Sequence, residues 1–276
     1  MSKKEFNMFH IIKSKLIVIL LATQFVGCSS LMQLNVFPVS KDIELGKQFD
    51  AEIKNSPKEY PLLKDHPEVK EYVEKIGKKI LASPEIKYRG QFAYQFEIIK
   101  DDSTVNAFCT PGGYVYVYTG LLKFLDNEAS LAGVIAHEIA HAERRHSTNK
   151  MTAQYGVQTI IELASGKIGE SGTKAANVVA GLGLLKFNRN EEEEADTYSF
   201  KYLQSTEYFP GAIRYFFEKV GTGRSGGSFE RLLSTHPLPQ DRFDHVNKLL
   251  SEAGNPKPSE SNIFAQRYQQ FKKLLP

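Results

Sequence analysis

His137-Glu138-Ile139-Ala140-His141 lies inside a run from Asn127 to Lys150 that holds no proline and reads as one helix of several turns. Residues four apart on a helix stand about 40° apart around its axis, so His137 and His141 share a face and can aim two imidazole nitrogens at one metal ion. Glu138, one step round, is close enough to take a proton from a water on that metal without being a ligand, which makes it the general-base candidate. The flanks decide between this reading and two unrelated histidines on a solvent-facing helix. Leu131, Val134, Ile135 and Ile139 are apolar and Ala132, Ala136, Ala140 and Ala142 are small, so the motif belongs in a core or a cleft. A buried histidine needs a partner, and a metal is a common one.

A catalytic zinc site takes three protein ligands and leaves one position open, so a third ligand must come from elsewhere in the chain. The candidates concentrate in Asn188-Arg189-Asn190-Glu191-Glu192-Glu193-Glu194-Ala195-Asp196, an acidic helix start ahead of the amphipathic run Tyr198 to Leu203. Acidic residues there complement the positive end of a helix dipole and usually stay solvated, which is the expectation for most of the four glutamates.

The H-E-x-x-H followed about fifty residues later by an S/N-R-x-x-E-x-x-A-D helix resembles the gluzincin metallopeptidases that include the CaaX prenyl protease, the HtpX and Oma membrane proteases, and the BepA- and LoiP-like periplasmic lipoproteins. Two further stretches are similar to that family: Asn106-Ala107-Phe108-Cys109-Thr110-Pro111-Gly112-Gly113, running on to Gly120-Leu121-Leu122, and Ser234-Thr235-His236-Pro237 with Asp241-Arg242. The resemblance implies a zincin-like core, one zinc ion per chain held by His137, His141 and Glu192, and Asp196 one turn beyond Glu192, where a carboxylate can take the spare N–H of a ligand imidazole. The glycine that the family places shortly after the Asp is absent, since Thr197-Tyr198-Ser199 follow Asp196. His236 is the further candidate: it either stabilises an oxyanion or occupies the fourth position of the metal at rest, its plain alternative being a turn residue before proline. The implied activity is zinc-dependent endoproteolysis of misfolded or stalled envelope proteins, with the outer-membrane protein assembly machinery as a partner. An envelope chaperone with a structural zinc, and an aminopeptidase, are the rival classes; no motif that would anchor a free amine is visible.

The 276 residues carry a formal charge of +3, and four Lys against one Glu among residues 1–27 account for all of it. A neutral remainder argues against a nucleic-acid partner, which would call for clustered Lys and Arg. Lys3, Lys4, Lys13 and Lys15 precede the short apolar run Leu16 to Ala22, and Phe25-Val26-Gly27-Cys28-Ser29-Ser30 resembles a bacterial lipobox. The expectation is a lipoprotein signal peptide over 1–27, lipidation at Cys28, a tether over 28–40, and a metallopeptidase domain over 41–276. Ser29, rather than Asp, beside the cysteine resembles the sorting pattern for the outer membrane, giving a lipid-anchored protein on its periplasmic face. Cys109, the second of two cysteines, reads as a packed strand residue.

Helical spacing recurs over Lys41 to Ile53, Glu68 to Leu81, Pro210 to Val220, Asp241 to Glu252 and Ile263 to Leu274. Phe92 to Ile99 is strand-like, and Tyr114 to Tyr118 alternates Tyr and Val after a Gly112-Gly113 turn, predicting a small sheet beside the zinc helix with an edge able to hold an extended substrate backbone. Residues 153–185, with Gly-Ser breaks, read as core packing, or else as a mobile lid or membrane-facing hairpin near the cleft, and Gly221 to Gly227 as a flexible loop. The fold class is α+β, mostly helical.

Overall fold

The computed structural model describes residues 37–164, 185–222, 229–237 and 240–276. The signal peptide, Cys28, the candidate lid beyond residue 164 and most of the glycine-rich loop after Gly221 lie outside them. The first helix, α1 (Val39–Lys54), begins inside the stretch read as a tether, and Phe37 ahead of it is already buried. Helix α2 (Pro67–Leu81) follows, with proline at its start, where no N–H bond is lost. Val69, Val73, Ile76 and Ile80 recur on one face and are buried.

Three strands come next: β1 (Gln95–Ile99), β2 (Ala107–Thr110) and β3 (Tyr114–Tyr118), in the order β1-β3-β2, with β1 parallel and β2 antiparallel to β3. The first strand starts later than the sequence suggests because Tyr94 has φ +43°, which an extended strand does not allow. The hairpin between β2 and β3 needs Gly112 (φ +74°), where an added Cβ would come within 2.9 Å of the Asp42 carbonyl oxygen. The Tyr/Val alternation sorts the faces as expected: Val115 and Val117 join the main core, while Tyr114, Tyr116 and Tyr118 pack against α1. Cys109 is buried in β2, its thiol bonded to the Thr110 carbonyl.

After the short α3 (Thr119–Phe124), Asn127 caps the central helix α4 (Glu128–Glu143) by accepting from the Ser130 amide at 2.8 Å. All sixteen residues of α4 are buried. Its first residue, Glu128, accepts from the Tyr72 hydroxyl, the Tyr208 hydroxyl at 2.6 Å and the Arg267 guanidinium at 2.5 and 2.6 Å. The run from Asn127 to Lys150 is therefore not one helix. It breaks at Arg145, held at φ +60°, and resumes as α5 (His146–Tyr155), followed by α6 (Val157–Ala164). The break is fixed from α1: Arg145 donates to Asp42 at 2.5 and 2.9 Å and to the Phe37 carbonyl at 2.8 Å.

Helix α7 (Arg189–Gln204) starts from a capping box between Asn188 and Glu191 and packs along α4. At that contact Ser199, standing where a glycine was expected, donates to the Gly133 carbonyl at 3.2 Å. Helix α8 (Ile213–Thr222) packs on α4, the short α9 (Glu230–Thr235) follows, and α10 (Gln240–Glu252) packs on α7 and α8. The final helical run breaks at Phe264 (φ +53°) into α11 (Glu260–Ile263) and α12 (Ala265–Lys272). The fold is thus α+β, mostly helical, with a small sheet beside the motif helix, consistent with a zincin-like core. Among the described residues no helix is long and apolar enough to cross a membrane.

Candidate metal centre

Four elements meet around His137 and His141. Helix α4 brings those two and Glu138, α7 brings Glu192 and Asp196, the residue after α9 is His236, and α10 brings Arg242. All are at most 4% exposed. One ligand atom each from His137, His141, Glu192 and His236 lies within 4.8 Å of the others. The two Nε2 atoms are 2.9 Å apart, and the Glu192 carboxylate oxygens stand 3.5 Å from His137 Nε2 and 3.6 Å from His141 Nε2. In a tetrahedral zinc site with metal–nitrogen bonds near 2.0 Å, donor atoms sit about 3.3 Å apart. Two imidazole nitrogens converging on each other and on a carboxylate, away from water, are a donor set that a divalent metal fits and that two neutral rings alone do not explain.

A second layer holds these groups. Asp196 Oδ1 lies 2.9 Å from His137 Nδ1, while Arg242 forks onto Asp196 with two bonds of 2.7 Å and reaches Glu192 Oε2 at 2.6 Å. Burial would raise the carboxyl groups of Glu192 and Asp196, but His236 and Arg242 beside Glu192, and Arg242 and His137 beside Asp196, hold both below the usual range. Burial pushes His137 down, yet the Asp196 and Glu192 carboxylates beside it carry it up to about 9, whereas His141, buried among other histidines, is pushed well below the usual value. Burial raises Glu138, only partly offset by His236 and His137. His236 bonds through Nδ1 to Glu192 Oε1 at 2.9 Å, and its Nε2 stands 3.8 Å from Glu138 Oε1.

The sequence profile of peptidase family M48 matches residues 67–250, two thirds of the chain and all of this site. The chain belongs to peptidase family M48. A β-barrel assembly-enhancing protease of Yersinia pestis is 29% identical over 73% of this chain and 43% of its own length, and the mitochondrial metalloendopeptidase OMA1 of Schizosaccharomyces pombe is 32% identical over 66% and 53%. Metalloprotease YcaL of Escherichia coli is 29% identical over 54% of this chain and 59% of its own. The chain spans about half the length of the curated relatives it matches. M48 is a metalloprotease family, and the buried His-His-Glu-His group is one that could hold the metal such a family works with.

Within the M48 domain the structure brings together every site residue named from sequence among the described residues, and adds others. Arg242, which the sequence marks only as part of the Asp241-Arg242 motif, links both acidic residues. Phe187 stacks on the His141 ring at 4.0 Å between centroids. The glutamate run is not uniformly solvated. Glu193, paired with the exposed Arg189, and Glu194, paired with Arg144 and His146, keep part-exposed side chains, whereas Glu192 is buried in the cluster and Glu191 in the capping box beside Lys150. Glu194 is held below the usual range chiefly by its bond with His146. An apolar cavity opens beside Glu138 and His137, lined by Leu121, Val134, Phe216, Phe217 and Leu232.

Proposed function

We propose that this M48 domain is a zinc-dependent endopeptidase with His137, His141 and Glu192 as the metal ligands and Glu138 as the catalytic residue that moves protons. The observation that carries the reading is the buried cluster itself: three converging donors of the kind zinc takes, with a carboxylate of raised pKa beside them and an apolar cavity next to both. A zinc ion held there supplies Lewis acidity toward water and toward a scissile carbonyl. Glu138 accepts a proton from the attacking water and returns it to the leaving amine, a shuttle for which a carboxylate with raised pKa is suited. Asp196, oriented by Arg242, holds His137 with its Nε2 toward the cluster. The apolar lining of the cavity keeps the surroundings of Glu138 poor in water. His236 completes the donor group at rest and must withdraw for water to enter, which makes it a brake on hydrolysis.

The similarity to β-barrel assembly-enhancing proteases supports misfolded or stalled envelope proteins as substrates, in association with outer-membrane protein assembly, and the lipobox-like Phe25 to Ser30 supports lipidation at Cys28 and a periplasmic position on the outer membrane. The purified protein is expected to contain about one zinc per chain and to cleave an unfolded substrate, with cleavage lost and substrate retained in Glu138→Gln. Undiminished cleavage by Glu138→Gln would sink the mechanism. Full biological function in a cell carrying Glu138→Gln would favour a chaperone with a structural zinc. Removal of His236 separates its two roles: proteolysis rises if it is a brake and falls about 10²- to 10³-fold if it stabilises an oxyanion.

A further inference from the structure

The two motif histidines are supported unequally. His137 Nδ1 stands directly against a carboxylate, Asp196, at 2.9 Å. His141 Nδ1 faces another histidine: Nδ1 of His146 is 2.8 Å away, and His146 Nε2 is 2.9 Å from Glu194 Oε2. Glu194 is in turn held by Arg144 through bonds of 2.7 and 2.8 Å. His146 is 3% exposed, so its ring nitrogens have these partners in place of water. We propose that His146 and Glu194 form a relay that fixes the ring of His141, acting as positioning residues for the metal. The proposal rests on the reading of His141 as a metal ligand through Nε2.

The chemistry follows from where protons can sit. A neutral imidazole that gives Nε2 to a metal keeps its proton on Nδ1, and a buried N–H needs an acceptor. His146 Nδ1 accepts only when the His146 proton is on Nε2. The Glu194 carboxylate selects that form, because it accepts from Nε2–H and has nothing to offer a bare nitrogen. Without Glu194, His146 is free to carry its proton on Nδ1, and two N–H groups would then face each other at 2.8 Å. A half-exposed carboxylate that touches no donor atom of the site thereby governs whether His141 is presented in a form that binds.

The backbone is arranged to make this contact. Five positions past His141 on a continuous helix, a side chain would stand roughly 140° away. The left-handed Arg145 turns the chain so that His146 comes back against His141, and Asp42, buried in α1, holds Arg145 there while also accepting from Thr148 at 2.5 Å.

The test is zinc affinity by competition with a chromophoric chelator, on the full chain, with the melting temperature of each zinc-free protein measured alongside. His146→Leu is expected to bind zinc about 10- to 100-fold more weakly and Glu194→Ala about tenfold more weakly, the scale of losing an outer partner of a ligand. His146→Gln should recover most of the loss, since an amide accepts from Nδ1–H through its oxygen and donates to Glu194 through its nitrogen. Glu193→Ala should bind as the parent does. A role confined to packing would lower the zinc-free melting temperature and leave affinity unchanged; unchanged affinity in both His146→Leu and Glu194→Ala, or His146→Gln no better than His146→Leu, overturns the relay. If His146→Leu fails to fold, the Glu194 variants decide. Zinc retained at parental affinity by His141→Ala would overturn the ligand reading and the relay with it, whereas a zinc-free His141→Ala confines any failure to the relay.

Discussion

At the scale of single residues the site depends on charges that have lost their water and are kept by one another. Arg242 is 2% exposed and serves two carboxylates through three nitrogens. Arg242→Leu removes the one fixed positive charge shared by Asp196 and Glu192, leaving them to His137 and His236, and is expected to cost about 3–5 kcal/mol of stability in the metal-free protein, measured by denaturant unfolding. Arg242→Lys should recover little, because a single ammonium cannot reproduce the fork. The glutamate run gives a graded series: Glu192→Ala should lose the metal, Glu191→Ala should cost roughly 1 kcal/mol of stability through its cap, and Glu193→Ala should be silent. A silent Glu192→Ala in a metal-content assay would mean that the wrong turn of the helix had been chosen. Here sequence was informative where chemistry is local. The i,i+4 histidines and the adjacent glutamate could be read directly, and the family pattern singled out Glu192. His146 could not be read, because on an uninterrupted helix it points away from His141, and what interrupts the helix is an aspartate some hundred residues earlier in the chain.

At the scale of elements the crossing of α4 with α8 sets the tolerance of the site. A Cβ at Gly133 would stand 2.7 Å from the Ile213 backbone nitrogen, which belongs to a helix start and has little freedom to move. Gly133→Ala is therefore expected to destabilise by about 1–3 kcal/mol. Since Gly133 is one turn before His137, it should also weaken zinc binding, whereas a drop in melting temperature with full zinc affinity would show that the crossing and the site are independent. Elements were legible when their pattern was carried by their own side chains: the Tyr/Val alternation of β3 and the apolar stripe of α2 both came out as read. The breaks at Arg145 and Phe264 were not, since neither residue is a glycine, asparagine or proline and each is held left-handed by its surroundings.

At the scale of the whole molecule the many buried tyrosines set an alkaline limit. Burial raises Tyr60, Tyr72, Tyr116, Tyr202 and Tyr208 above the ordinary value, with Glu128 adding to it at Tyr72 and Tyr208. Their folded-state pKa exceeds the unfolded one near 10, so above that pH the unfolded chain releases protons that the folded chain keeps, and stability falls. Each contributes a loss of up to about 1.4 kcal/mol per pH unit above pH 10. Urea midpoints should be flat near pH 8 and drop steeply beyond pH 10; a flat profile to pH 11 would contradict the assignment. The same tyrosines bear on how the chain is made. Glu128 opens the helix that carries the metal motif, and its partners are Tyr72, Tyr208 and Arg267, the last 139 residues further on. Tyr72 precedes that carboxylate in the chain but its guanidinium partner comes late, so a chain truncated before Arg267 is expected to be cut more readily around α4 by limited proteolysis than the 276-residue chain. The helix that carries the metal motif is thereby secured by a side chain 139 residues downstream, so the centre closes only after that distant residue has docked.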